Sequence, residues 1–382
     1  MGDIFSYLDE YGGYSFTEKP LGEVDAMIFS YLTYFNFDGK VSGVENLGSA
    51  VTLSSLAGIV EQENFISVTW ERERSREVYV KIISCRRYRS TRLRFFVNEV
   101  DKSEEMQFSA ITFELGNGDI FLAFRGTDDA LVGRKEDFYM ACRTPIASQK
   151  RSVTYVNQVA KHYLRKKCAR FYLGGHSKGG NLAVYATMNC KENIRHRIGR
   201  IYNLDGPGFR PDFFQELNYT EIEEKVVKLV PKESFVGMLM EESDRCILIE
   251  SSEIGILQHI PTSWQITGDS FLRSEGEPER KMLYAKVNEW ILSLDREKID
   301  GFLKSLFEVV EGTETLTELT ADWMKSSVSL FNTYRDMDEE MRGIFWEFCV
   351  LLVELVAKDR QERIRKWRLL DNMRKRMDNK NE

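Results

Sequence analysis

Apolar residues recur at helical spacing early in the chain. Val24, Met27, Ile28, Tyr31, Leu32 and Phe35 share one face. A second short helix is expected from about Leu53 to Glu61, so residues 1–65 read as helical. Residues 70–90 are charged and then turn strand-like at Val78–Ile83. From about residue 93 the period changes, and Leu93–Val97 reads as a strand. Phe108–Leu115 and Ile120–Phe124 alternate on either side of Gly116-Asn117-Gly118-Asp119, which is a hairpin signal. A polar segment follows, then an expected helix over Thr154–Lys167 and a short strand at Arg170–Leu173. Beyond these come a helix over Asn181–Cys190 and strands at Ile201–Leu204, Val226–Val230 and Cys246–Ile249. Strands alternating with helices over 93–270 predict an α/β fold with a mostly parallel central sheet.

Residues 280–382 lose the strand pattern and become charged and helical. Trp346, Cys349, Val350, Val353 and Leu355 mark an amphipathic helix, and Asp359–Lys380 reads as a solvated helix or tail. Phe302, Phe307, Trp323, Phe331 and Trp346 would suit an acyl pocket or a plain core, and core is the simpler reading. Three regions are thus expected: a helical N-terminal segment over 1–92, a catalytic core over 93–275, and a charged helical extension over 276–382. The extension could serve as a lid or as an interaction region.

Composition narrows the class. The chain of 382 residues is 42% hydrophobic, which suits a globular protein with a core. Its net charge of −7 argues against nucleic acid as a general partner. The start has no basic stretch followed by an apolar one, so it does not read as a secretory signal. The most apolar run, Phe345–Ala357, is broken by Glu347 and Glu354, so no transmembrane helix is expected. Peripheral membrane contact and oligomeric state stay open. Cys85, Cys142, Cys168, Cys190, Cys246 and Cys349 are scattered without metal-ligand spacing. Reduced thiols in a cytoplasmic protein, with no metal and no organic cofactor, are the expectation.

The chemistry centres on Gly174-Gly175-His176-Ser177-Lys178-Gly179-Gly180. It contains the GxSxG pattern of a nucleophile elbow, in which glycines two before and two after the serine admit a sharp strand-to-helix turn. Such a pattern arises by chance in roughly one chain of this length in ten, so context decides. A short apolar strand runs into the motif and a good helix runs out of it, whereas the phosphate-loop signature GxxxxGK[ST] is absent. The combination predicts an α/β-hydrolase fold with Ser177 as nucleophile. One oxyanion donor should be the backbone N–H of Lys178. The other is expected at Thr127, in Phe124-Arg125-Gly126-Thr127 at an upstream strand end, through its main-chain N–H and its hydroxyl.

The chain has four histidines. His176 adjoins the nucleophile and points away from it, while His162 and His196 sit in basic, surface-like surroundings. His259 lies in a loop after the last strands and in the right chain order, so it is the expected general base. The acid is undecided. Asp205 after the strand Ile201–Leu204 ranks first, then Glu233, then Asp244. A site with no carboxylate, or with Ser234 in that place, is a fourth option.

Phe124-Arg125-Gly126-Thr127 followed by Gly175-His176-Ser177-Lys178-Gly179 resembles the class 3 lipases. More closely, the chain resembles a bacterial domain-of-unknown-function family near those lipases. That likeness rests on Gly174–Asn181, Phe124–Asp129, Glu136-Asp137-Phe138, Asn203–Phe209, Val236–Leu239 and Gln258-His259 with Ser263-Trp264-Gln265. It spans about residues 20–270. The resemblance implies hydrolysis of an ester or lipid, with Ser177 as nucleophile, His259 as base, and Thr127 and Lys178 as oxyanion donors. The sequence departs from the pattern at Ser234, where the class 3 lipases carry the triad aspartate, and at Arg134, where the related proteins tend to have Trp. Two other readings stand beside the hydrolase. One is a catalytically weak or inactive hydrolase-fold scaffold that binds another protein, and the other is a thioesterase or acyltransferase using the same site.

Overall fold

The computed structural model describes residues 2–46, 48–68, 71–128, 131–142, 145–163, 170–211, 219–241, 245–275, 278–295, 297–298, 301, 334, 337–356 and positions 368, 371 and 375. Contacts divide the chain into two compact units, Met1–Glu277 and Pro278–Glu382.

The first unit is built on one eight-stranded sheet. Its strands are β1 (Val51–Thr52), β2 (Arg92–Asp101), β3 (Met106–Glu114), β4 (Ile120–Phe124), β5 (Phe171–His176), β6 (Ile198–Leu204), β7 (Val226–Pro231) and β8 (Ile247–Ile249). They lie side by side in chain order. β1 through β4 pair antiparallel, including the Asn-Gly hairpin between β3 and β4. β4 through β8 pair parallel. Parallel neighbours need crossovers, and right-handed crossovers that advance in one direction stack their helices on one face. On that face α6 (Ala147–His162) and α7 (Lys178–Asn189) bury Tyr155, Val156, Leu182 and Ala186 against Leu122, Phe124 and Leu173.

The opposite face needs another cover, and the N-terminal segment supplies it. Helices α1 (Ile4–Tyr11), α2 (Glu23–Leu32), α3 (Arg72–Ser84) and α4 (Arg86–Arg89) bury Ile28, Phe29, Tyr79 and Tyr88 with Phe113, Phe121 and Tyr202 of the sheet. A buried clasp fastens this layer. Arg87 reaches Asp25 through Nε at 2.7 Å and Nη2 at 2.6 Å, and the hydroxyls of Tyr88 and Tyr7 donate to the same carboxylate.

Several expected elements differ. Val78–Ile83 is not a strand but part of α3. Its β-branched residues suggested extension, yet the buried positions are Ser75, Val78, Tyr79 and Ile82, a helical face, while Val80 is 48% exposed. Residues 1–65 are helical only in part, because turns follow α2 and Val51–Thr52 joins the sheet ahead of a 3₁₀ helix over Leu53–Glu61. The polar segment after β4 contains a helix, α5 (Leu131–Cys142). The helix expected at Thr154 begins at Ala147. Its first turns bury Ser148, Gln149 and Ser152, so the inward face is polar and hides the helical period.

The second unit contains helices Pro278–Ser293 and Glu339–Val356. Trp290 stacks on Phe348 at 5.9 Å and donates to Glu347, while Trp346 is buried and donates to the Tyr334 hydroxyl. Trp346 is therefore core of this unit. Phe302, Phe307, Trp323, Phe331 and most of Asp359–Lys380 lie outside the described residues. Among the described residues no helix is long and apolar enough to cross a membrane.

Candidate active site

In a parallel sheet, the loops that leave the carboxyl ends of the strands share one edge. Here that edge gathers Thr127 after β4, Ser177 after β5, Asp205 after β6, Ser234 after β7 and His259 after β8. Residues distant in sequence thereby converge.

Ser177 sits between β5 and α7 with φ +58° and ψ −132°, a strained conformation for a residue with a side chain. The flanking glycines show what holds it. A Cβ on Gly175 would lie 2.3 Å from the Gly179 carbonyl carbon, and a Cβ on Gly179 would lie 2.1 Å from the Phe124 carbonyl oxygen. The first turn of α7 thus presses directly on the ends of β4 and β5. The helix N-terminus beside Ser177 presents free backbone N–H groups, suited to stabilising negative charge. The Lys178 N–H is the first of them.

The Lys178 side chain turns inward. Its buried ammonium donates to the Gln107 carbonyl at 3.0 Å and to Glu136 Oε2 at 3.0 Å. Glu136 also accepts from the Gln107 and Ser148 N–H groups, so β3, α5, α6 and the elbow meet on one carboxylate. At the end of β4, Gly126 lies against the elbow, since a Cβ there would be 3.1 Å from the Ser177 Cβ. Thr127 follows. Its hydroxyl donates to Asp137 Oδ1 at 2.6 Å, which leaves the main-chain N–H of Thr127 as its available donor. Burial raises the half-buried Asp137 carboxyl to about 6, against the opposing pull of the Lys178 cation and the Thr127 bond.

His259 is one-quarter exposed and Asp205 is fully buried. His259 Nδ1 and Asp205 Oδ2 are 2.6 Å apart. A carboxylate only accepts, so Nδ1 carries the proton and Nε2 carries the lone pair. Asp205 has φ +53°, and its N–H bonds the Leu229 carbonyl at 2.8 Å. Asn181 of α7 holds the following loop through the Pro207 and Gly208 carbonyls. Among the described residues no hydrogen bond joins Ser177 Oγ to His259. That bond commonly tightens only with substrate in place.

The other candidates fall elsewhere. Glu233 Oε2 accepts from the Gly255 N–H at 2.6 Å, and the Glu233 N–H donates to Gln258 Oε1 at 2.9 Å, so Glu233 anchors the histidine loop rather than His259 itself. Asp244 and the side chain of Arg134 lie outside the described residues. Ser234 Oγ donates to Asp205 Oδ2 at 2.6 Å. His176 is buried beneath His259, with ring centroids 4.5 Å apart. Its Nε2 donates to the His259 carbonyl at 2.8 Å, so Nδ1 accepts from the Tyr34 hydroxyl at 2.9 Å. Burial pushes its pKa well below the usual histidine range, which keeps it neutral. Thr262, three residues past His259, is clasped by Arg74 Nη2 at its carbonyl and by Glu71 at its hydroxyl.

The roles of Glu136, Asp137 and Tyr34 were not assigned from sequence. The signal for two of them was the adjacent carboxylate pair in the polar stretch after Thr127. Tyr34 had none, being one more aromatic on an apolar helical face. Among the described residues no cluster of three or more His, Cys, Asp or Glu side chains could hold a metal ion, and Cys85, Cys190 and Cys349 are free thiols.

A mostly parallel sheet with helices on both faces and a strained serine at a glycine-framed strand–helix elbow defines the α/β-hydrolase fold. Within that class, the chain belongs to the Mbeg1-like family, whose profile matches residues 82–308. No curated protein matches the sequence. Among solved structures, the crystal structure of a mutant form of MDLA from Penicillium cyclopium is similar at 11% sequence identity with a TM-score of 0.40. The match covers 70% of this chain and 86% of that one.

Proposed function

We propose that the protein is a serine hydrolase that cleaves carboxylic esters, lipase- or esterase-like in its chemistry. The observation that carries this reading is the 2.6 Å contact of His259 Nδ1 with the buried carboxylate of Asp205, on the sheet edge that also bears the strained Ser177. Asp205 fixes the histidine tautomer that leaves Nε2 free to take a proton. In the proposed cycle Ser177 Oγ attacks the acyl carbon while its proton passes to His259 Nε2. The N–H groups of Lys178 and Thr127 receive the oxyanion. The carbon–oxygen bond to the leaving alcohol breaks, and the alcohol departs with the proton from His259. Water then loses a proton to His259 and attacks the acyl-enzyme, which releases the acid and restores Ser177. No metal or organic cofactor enters the cycle. We place the protein in the cytoplasm, and we assign residues 276–382 the role of a lid or interaction region.

The test is labelling of the purified protein with a fluorophosphonate, mapping of the modified residue, and turnover of short and long p-nitrophenyl esters. The expected result is modification at Ser177 and ester turnover, both lost in Ser177→Ala. An unmodified Ser177 with no turnover of any ester would reject the hydrolase and favour the scaffold.

A further inference from the structure

Asp205 is enclosed on every side. Its residue is fully buried, and its Oδ1 has no hydrogen-bond partner among the described residues. The backbone of Gly237 presses on that oxygen so closely that a Cβ there would lie 2.3 Å from it. All hydrogen bonding to the carboxylate falls on Oδ2, which accepts from His259 Nδ1 at 2.6 Å and from Ser234 Oγ at 2.6 Å. Ser234 is itself 1% exposed, with its N–H on the Pro231 carbonyl at 2.9 Å. One turn after β7 therefore supplies both the donor on Oδ2 and the wall on Oδ1.

We infer that Ser234 is the positioning residue of the acid–base pair, and that position 234 lies close enough to His259 to carry the acid in place of position 205. This inference rests on the hydrolase reading above. A carboxylate bonded at one oxygen only can turn about its Cβ–Cγ axis, and such terminal torsions are broad. A second donor on the same oxygen fixes which oxygen faces the imidazole. The Ser234 hydroxyl donates to Oδ2 whichever protonation state the imidazole adopts, so it holds Asp205 in register while the proton travels. The same geometry sets the reach. Two atoms each 2.6 Å from Oδ2 stand no more than about 5 Å apart, and an aspartate at 234 extends about 1.2 Å past the serine oxygen. Exchanging the residues, serine at 205 and aspartate at 234, conserves the atoms in the cavity and leaves the serine to donate to the relocated carboxylate.

The experiment uses the full chain. Ser234→Ala, Asp205→Ser and the transposed Asp205→Ser/Ser234→Asp are compared with wild type. Each is assayed for kcat and KM on p-nitrophenyl butyrate, for fluorophosphonate labelling rate and for thermal unfolding, and the His259 Nδ1 proton is followed by NMR. Ser234→Ala is expected to lower kcat about tenfold with KM unchanged, because one hydrogen bond to a buried charge is lost. The same variant is expected to displace the Nδ1 proton resonance. Asp205→Ser is expected to lower kcat by about 10³–10⁴, and the transposed pair to recover at least tenfold of that loss. A folded Ser234→Ala protein with wild-type kcat and an unmoved resonance overturns the positioning role. A folded transposed protein no faster than Asp205→Ser overturns the exchange. If wild type neither labels nor turns over ester, the hydrolase reading fails, and the resonance alone decides for or against Ser234.

Discussion

The two halves of the candidate site are made of different material. The Ser177 half is backbone: a strand end, a strained residue at φ +58° and glycines pressed to within 2.1–2.3 Å of neighbouring main-chain atoms if given a Cβ. The His259 half is side chains on loops. His259, Asp205, Ser234, Glu233 and Gln258 come from three separate connections and are held by mutual hydrogen bonds. Backbone contact is unforgiving and local, so it writes itself into a short sequence motif. Side-chain convergence tolerates several solutions and leaves no motif.

The largest expected effect sharpens this contrast. Gly179→Ala would set a methyl against the Phe124 carbonyl, with the Phe124 carbonyl carbon and the Arg125 carbonyl carbon also within 3.0 Å. No flexible side chain is there to yield. The variant should lose more than about 4 kcal/mol of stability or fail to fold. Gly116→Ala, whose Cβ would meet nothing within 4 Å, should change stability by less than about 0.5 kcal/mol. Urea denaturation of both decides, and a tolerated Gly179→Ala would break the distinction between the halves.

Next in size is the buried ion pair beneath the elbow. Lys178→Met leaves Glu136 with a buried, uncompensated charge and should cost about 3–5 kcal/mol. The urea midpoint reads this directly. A loss under about 1 kcal/mol would mean that the pair behaves like a surface pair.

These differences explain what could be read in advance. Ser177, Gly175 and Gly179 followed from spacing, because their constraints act between neighbours. His259 stands out by elimination among four histidines and by its place in a loop after the last strands. The acid stays open in the sequence, because Asp205 and Glu233 both follow strands and only the fold brings one of them to His259. The pairing of Lys178 with Glu136 spans 42 residues and was invisible for the same reason. The parallel sheet was legible because its strands are apolar runs. The start of α6 was not, because Gln149 turns inward to bond Asn181 rather than to pack apolar surface. In α3, Val78, Val80 and Ile82 imitate a strand while the buried set repeats as a helix.

Asp137 offers a pH test of how closely the surroundings of Thr127 are packed. Burial raises its carboxyl to about 6, so ionisation is harder in the folded chain than in the unfolded one. The stability this contributes is present below the unfolded value of about 4 and is lost as pH rises through about 6. Asp137→Asn keeps an oxygen for the Thr127 hydroxyl and has nothing to ionise. Between pH 4 and pH 7 the variant should therefore gain on wild type by at most about 3 kcal/mol. Parallel denaturation curves at several pH values measure the gap, and a constant gap would show that Asp137 ionises freely.

The smallest effect separates anchoring from acid catalysis. Glu233 follows a strand on the same edge as Asp205, yet its carboxylate receives the Gly255 N–H at the start of the histidine loop. Glu233→Gln keeps an acceptor of the same shape and removes the charge, which weakens a charge-assisted bond to a neutral one. The expected cost is about 1 kcal/mol. Because His259 keeps its bond to Asp205, kcat should fall less than about tenfold, whereas loss of the Asp205 carboxylate removes about 10³–10⁴. Kinetics of Glu233→Gln and Asp205→Asn on one ester give the ratio. Equal losses would mean that the two carboxylates share the acid role. A large ratio would mean that His259 has a single acid, Asp205, and that the Glu233 carboxylate holds the loop.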